Sequence, residues 1–279
     1  MRRESDRVSL HAAPLHVGPL VQKHLWHAKE AVVLTSATLT TAGEFDYLRS
    51  RLAADQADEL AVGSPFNYET STLLYLVNDM PEPAMRVENQ RAVEKALITL
   101  CTATRGRALV LFTSYAQLKQ TANAIREPLD RVGVAVYDQS DGTPRTTLLE
   151  AFKTAEAGVL LGTKSFWEGV DVPGEALSAL VIVKLPFDVP TDPIIAARSE
   201  TYERAFNEYT LPEAILRFRQ GFGRLIRTRS DRGVVVILDR RVLTKQYGRM
   251  FLDSLPGCSS RTAPLAQLGR DAARWIDGA

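Results

Sequence analysis

The stretch QGFGRLIRTR, residues 220–229, sets two glycines and three arginines inside a run that otherwise reads as helix. Continued at helical period from Pro212, the segment 211–228 brings Glu213, Arg217, Gln220, Arg224 and Arg227 within about 80° of one another. Ile215, Phe218, Phe222, Leu225 and Ile226 fall opposite. One face suits a core. The other offers guanidinium forks, whose planar donors match phosphate oxygens. Arg224 and Arg227 stand close enough along a helix to reach one polyphosphate together. Gly221 and Gly223 each cost about 1 kcal/mol relative to Ala in a helix, which points to a close approach by backbone or ligand. A solvated charged face is the plainer alternative.

A second stretch, GVLLGTKSFWEGVDVPGEAL (158–177), reads as a buried strand ending at Gly162 and a polar, aromatic loop. Ligand sites in open α/β sheets lie at the carboxyl ends of strands. Glu168 and Asp171 stand there three apart and could face one small site, although no His or nucleophile lies nearby in sequence. They serve equally as capping carboxylates of a turn. Trp167 either stacks on a base or fills the core, and the core is the preferred reading. In GRALVLFTSYAQL (106–118), Thr113 and Ser114 stand where a helix begins. Hydroxyls and open N–H groups there hold a phosphate or cap the helix, and the two roles are compatible. Gln139 occupies a similar strand-end position. Asp239, Arg240 and Arg241 read equally as structural ion pairs.

The elements that must position these residues are legible. Continuous apolar runs at 31–35, 73–77, 108–112, 134–138, 158–162, 179–185 and 233–238 suit strands buried on both faces of a parallel sheet. Helix-period segments separate them at roughly 86–104, 115–127, 144–155, 192–208, 211–228, 243–254 and 263–277. This alternation predicts an α/β layered domain with a mostly parallel central sheet flanked by helices. The expected division is a terminal fringe at 1–40, a connector at 41–84 and a main domain at 85–279. The opening reads as the interior of a longer chain. Among 279 residues, 34 Lys and Arg meet 33 Asp and Glu, so no global basic field draws in nucleic acid and any polyanion site must be local. Two cysteines are too few for a disulfide framework or an iron–sulfur cluster, and they suit a cytoplasmic setting. No apolar run approaches a membrane span, and no secretory leader is recognisable.

Together these stretches resemble the DinG/XPD family of superfamily 2 helicases. QGFGRLIR is similar to motif VI, an arginine-finger helix, and GTKSFWEGVDVPG to motif V of the DinG branch. GRALVLFTSYAQL resembles motif IV and VVLTSATLT (32–40) motif III; KLPF and ILDRR also fit. The resemblance implies a RecA-like fold. It assigns Gln220, Arg224 and Arg227 to catalysis at ATP, with Glu168, Gly169, Asp171 and Gly223 on the nucleotide side. Thr113, Ser114, Gln139, Thr163, Lys164 and Ser165 would contact single-stranded DNA. Thr35, Ser36 and Thr38, on the last strand of a first motor domain, would couple nucleotide state to DNA grip. No G-x-x-x-x-G-K-[ST] phosphate loop and no D-E-A-H-like box occurs in the chain. The expectation is therefore the C-terminal half of a 5′→3′ DNA helicase. ATP and Mg²⁺ would be held mainly by a missing N-terminal motor domain, and the isolated chain would be inactive. A non-catalytic nucleic-acid- or partner-binding module and half of an RNA helicase are the alternatives.

Overall fold

The computed structural model describes residues 12–41, 43–167, 172 and 174–278. Six of the apolar runs are strands: β1 Thr72–Val77, β2 Ala108–Leu111, β3 Ala135–Asp138, β4 Gly158–Gly162, β5 Ala179–Ile182 and β6 Gly233–Ile237. A seventh, β7 Ser259–Ala263, escapes sequence reading because it is an edge strand, with Ser260, Arg261 and Thr262 exposed. Among the described residues the order is β3-β4-β2-β5-β6-β1-β7. Every pairing is parallel. The fold is α/β with a parallel sheet, as the alternating elements predict.

Burial on both faces explains why the strands read as unbroken apolar runs. Tyr75, Val110, Leu161, Val181 and Val236 join one core with Val93, Leu97 and Leu100 of helix Arg86–Thr104. Leu118, Ala122 and Ile125 of helix Tyr115–Asp130 and Leu268 of helix Leu265–Ile276 complete that layer. The alternate strand residues Leu109, Leu111, Leu160, Ile182 and Ile237 are buried as well. Leu111 meets Gly221 of helix Leu211–Phe222.

Four expectations need correction. Residues 31–35 form no strand: Val33 is 87% and Leu34 46% exposed, and the described residues offer this run no pairing partner. The helix expected at 211–228 ends at Phe222. The one expected at 192–208 is helix Pro193–Ser199 followed by a π-helical turn, Phe206–Thr210. The one expected at 243–254 is two short helices, Arg241–Thr244 and Gly248–Asp253. The chain also divides differently from the expected boundaries. One compact unit holds the described residues up to Glu59 with Asp188–Pro212; the other holds Leu60–Phe187 and the residues from Glu213 onward. β1, inside the expected connector, belongs to the sheet.

A tight reversal feeds helix Arg86–Thr104 into β2. Arg105, Gly106 and Arg107 all take left-handed conformations, at φ 53°, 72° and 50°. The Thr104 hydroxyl donates to the carbonyls of Leu100 and Gly106, each at 3.0 Å. A Cβ on Gly106 would stand 2.7 Å from the backbone N and O of Gly158, at the start of β4. Gly106→Ala is therefore predicted to lower the unfolding free energy by at least about 1–2 kcal/mol, the cost of a left-handed non-glycine residue alone. Urea unfolding checks this; an unchanged midpoint and slope would contradict it.

Candidate functional site

β3, β4 and β2 are neighbours, so the residues that follow them meet at one edge of the sheet. Gln139 follows β3, Thr163 follows β4, and Thr113 and Ser114 follow β2. Gln139 ties the first two ends together. Its Oε1 accepts from the Thr163 backbone N–H at 2.9 Å and from the Thr163 hydroxyl at 3.0 Å. Its Nε2 donates to Ser165 Oγ at 3.0 Å. The Tyr115 hydroxyl donates to the Gln139 carbonyl at 3.3 Å, adding the start of the helix after β2. Ser114 Oγ caps that helix by accepting from the Gln117 N–H at 3.3 Å. Thr113, Lys164 and Ser165 are exposed. Sequence reasoning named all of these residues except Tyr115, whose aromatic ring beside two hydroxyl residues gives no signal of its hydrogen bond.

Lys164–Trp167 is a single helical turn at the end of β4. Trp167 is 3% exposed, so its ring fills the core. Its indole N–H donates to the Phe112 carbonyl at 3.1 Å, fastening the β4 turn to the end of β2. Gly221 is the residue that lets the arginine helix reach this ring: a Cβ there would lie 2.9 Å from Trp167 Cζ3. The close approach inferred from the glycine is thus made by an indole, not by a ligand. Gly162 plays a comparable part for Phe166, whose Cγ a Cβ at 162 would meet at 2.4 Å.

The arginines come from two kinds of backbone. Arg217 and Gln220 stand on the helix, with Arg217 paired to Glu213 at 3.7 Å. Gln220 is half-buried in the last helical turn, and its Oε1 has no hydrogen-bond partner among the described residues. Gly223 marks the exit from the helix, its N–H still donating to the Arg219 carbonyl at 2.9 Å. Arg224 and Arg227 follow in irregular backbone, so the single helical row of arginines is not formed. The apolar half of the pattern survives this break, since Leu225 and Ile226 are buried with Ile215, Phe218 and Phe222. That continuity is why periodicity overran the helix end.

Arg224 reaches back to the β4 turn. Its Nε and Nη2 both donate to the Trp167 carbonyl, at 3.1 and 3.0 Å. One guanidinium therefore sits at the strand tip immediately before residue 168. Glu168, Gly169 and Asp171 themselves lie outside the described residues. Asp231 shapes the turn that carries Arg227. It accepts from the backbone N–H groups of Arg227 and Thr228, at 2.7 and 2.8 Å, and from the Thr228 hydroxyl at 2.6 Å. Burial raises the Asp231 pKa, but these bonds and one from the Gly174 backbone outweigh it and hold the carboxyl below its ordinary value. The sequence carries a faint signal for this turn in Thr228-x-x-Asp231, the spacing of a side-chain-closed loop.

Asp239 is structural. Buried after β6, it accepts from the Leu185 N–H at 2.8 Å and pairs with Arg241 at 2.6 Å. Thr35, Ser36 and Thr38 do not stand on a strand. Ser36 Oγ accepts from the Thr38 N–H at 3.2 Å in a local turn.

The family described as Helicase C-terminal domain matches residues 97–258. The chain is 37% identical to the 3′-5′ exonuclease DinG of Bacillus subtilis, over 91% of this chain and 28% of that protein. It is 38% identical to the ATP-dependent DNA helicase YoaA of Haemophilus influenzae, over 92% of this chain and 40% of that protein. It therefore spans well under half the length of these relatives. A solved structure of apo XPD superposes with a TM-score of 0.52 at 19% identity, covering 71% of this chain and 40% of that one, which bears on the fold alone.

Two substitutions test this geometry. Gly221→Ala is predicted to force Trp167 and the helix apart, at about 1–3 kcal/mol for overpacking, with a red shift of tryptophan emission; unaltered emission and stability would contradict it. Asp231→Asn is predicted to cost about 1–3 kcal/mol at neutral pH, as hydrogen bonds to a charged acceptor are lost. Because the folded pKa lies below the unfolded value of about 3.9, the carboxylate's contribution is complete above that value. It is lost as pH falls through the lower folded value. Urea unfolding at neutral pH and below about pH 3 should show the wild-type advantage shrinking in acid; an advantage independent of pH would refute the assignment.

Proposed function

This chain belongs to the helicase C-terminal domain family, on the DinG/XPD branch of superfamily 2, and from that premise we propose that it is the second motor lobe of an ATP-dependent DNA helicase. The observation that carries the proposal is the pair of bonds from Arg224 to the Trp167 carbonyl. They bring residues 57 positions apart in sequence to one strand tip, where RecA-like sheets bind ligands.

The donor chemistry fits a polyphosphate. A guanidinium offers planar forked N–H donors with permanent charge, and the Trp167 carbonyl occupies Nε and one Nη on the same side, orienting the plane. Arg224 acts as the arginine finger toward the γ-phosphate, Arg227 supports it from the Asp231-closed turn, and Gln220 lies one turn behind. Glu168, Gly169, Asp171 and Gly223 complete the nucleotide side. ATP, when bound, supplies the free energy of phosphoryl transfer to water. This lobe fits only its outer phosphates: no phosphate loop occurs in the sequence. ATP and Mg²⁺ are therefore assigned mainly to a first motor lobe, of which residues 1–40, with Thr35, Ser36 and Thr38, form the terminal fringe.

The Gln139–Thr163–Ser165 cluster, with Lys164, Thr113 and Ser114, is assigned to the backbone of single-stranded DNA. Hydroxyls, amide groups and one exposed ammonium suit phosphate contacts that position a strand without reading its sequence. Strand contact and finger then share the turn Thr163–Trp167, so movement at the nucleotide is felt at the strand. The direction proposed is 5′→3′.

The purified chain alone is predicted to hydrolyse ATP negligibly, with or without a single strand. In a protein carrying both motor lobes, Arg224→Ala should lower kcat by about a thousandfold or more while ATP affinity changes little. Steady-state ATPase and nucleotide-binding titrations measure both. Strong turnover by the chain alone, or unimpaired turnover by the Arg224 variant, would overturn the proposal.

A further inference from the structure

The arginine helix Leu211–Phe222 does not start in the unit that holds the sheet. The segment Asp188–Pro212 belongs to the smaller unit, with the described residues up to Glu59, and the helix opens with the last two residues of that segment. Two arginines tie the segment down within its unit. Arg198 donates through Nε to the Leu15 carbonyl at 3.1 Å and through Nη2 to the Pro14 carbonyl at 3.0 Å. Arg51, in the last turn of helix Asp46–Leu52, donates to the Tyr202 hydroxyl at 3.2 Å. The carbon at the centre of the same guanidinium stands 5.5 Å from the middle of the Tyr209 ring. Tyr202 and Tyr209 are themselves stacked, with 5.4 Å between ring centres and 2° between planes. His16 meets Tyr202 edge-on at 5.9 Å. One guanidinium thus holds both members of a stacked pair, the first by its hydroxyl and the second by its face.

The second ring sits at a sensitive place. Tyr209 is 2% exposed and lies inside the π-helical turn Phe206–Thr210, which the Leu211 N–H closes on the Phe206 carbonyl. The arginine helix continues directly from that turn. A π turn takes in one residue more than an α turn and is found mostly at functional positions. Its relaxation to an α turn would rotate everything after it by about 100°, the angle of one helical residue. A cation over a ring from which water is excluded is the stronger form of that contact, so Arg51 opposes the relaxation where it matters. Trp167 sets how deep the helix lies; Arg51 sets how it starts.

We propose that Arg51 is a positioning residue for the arginine helix. By clamping Tyr202 and Tyr209 it holds the π turn, and with it the rotation at which the helix delivers Gln220 and, just beyond its end, Arg224. The proposal rests on the reading of Arg224 as the arginine finger. It adds that the finger's aim is governed by a side chain of the other unit, which no motif in the sequence marks.

The test pairs amide hydrogen exchange on the full chain, read by mass spectrometry, with ATPase kinetics on a protein carrying both motor lobes. Arg51→Met keeps the aliphatic stem and removes the charge; Arg51→Lys keeps the charge. In Arg51→Met the amides of residues 206–216 should exchange about tenfold faster, while those of β2, β4 and β5 keep the wild-type rate. Tyr202→Phe, which loses only the hydroxyl and keeps the stacked rings, should speed the same amides about threefold. In the two-lobe protein Arg51→Met should lower kcat about tenfold with KM for ATP unchanged, the pattern of a contact made in the transition state, and Arg51→Lys should restore most of it. Wild-type exchange at 206–216 in both Arg51→Met and Tyr202→Phe, or an unchanged kcat in Arg51→Met, overturns the proposal. Arg224→Ala in the same two-lobe protein separates it from the reading beneath it. If Arg224→Ala is crippled and Arg51→Met is not, the finger stands and this inference alone falls; if Arg224→Ala turns over normally, the finger reading falls and takes the proposal with it.

Discussion

Trp167 makes three contacts that no other residue combines among those described. Its indole N–H holds the carbonyl at the end of β2, its ring receives Gly221 of the arginine helix, and its carbonyl takes two donors from Arg224. Each contact constrains a different element. The first sets the β4 turn against its neighbouring strand, the second fixes the depth of the helix, and the third aims a guanidinium at the strand tip. Truncating a buried aromatic to Ala costs about 3–5 kcal/mol in stability, but here the geometric loss would matter more. Without the indole, the helix would lose its main packing partner at the strand tip and keep only Leu111 there, and the backbone carbonyl that holds Arg224 would lose the ring that positions it.

On the proposed reading, the same constraint would let one lobe serve two ligands. The turn Thr163–Trp167 faces the Gln139 cluster at its beginning and Arg224 at its end. On that reading, a shift in the guanidinium would move the Trp167 carbonyl, and the single turn would pass that shift to Thr163 and Ser165. Coupling then needs no long pathway, only a packed element with a ligand at each end.

Much of this was legible in the residues. Strands buried on both faces have to be apolar throughout, so β1, β2, β4, β5 and β6 announced themselves, and the edge strand β3 kept enough apolar residues to be read; β7 did not, because Ser260, Arg261 and Thr262 face solvent and the strand contributes one ladder of backbone bonds. The run at 31–35 looks like a strand for the same compositional reason, yet pairing needs a neighbour, and composition cannot report whether one is at hand. Hydrophobic period carried the arginine helix too far because Leu225 and Ile226 stay buried after the helix ends. The stop was written instead in Gly223, and Asp231 closes the later turn at Arg227 and Thr228, a role that depends on a turn not yet formed. The family resemblance pointed to Thr163 and Ser165, and its place at a strand end pointed to Gln139. Their mutual bonds depend on the strand order β3-β4-β2, which no local pattern encodes.

The central claim is that Arg224 is presented to a phosphoryl group seated on another lobe. A crystal structure of a protein carrying both motor lobes, trapped with ADP, Mg²⁺ and a planar metal-fluoride mimic of the transferring phosphoryl, tests it directly. The account predicts Arg224 Nη within hydrogen-bond reach of the fluoride ligands while Trp167 remains packed on Gly221. An Arg224 turned away from the nucleotide, with another cation in its place, would contradict it.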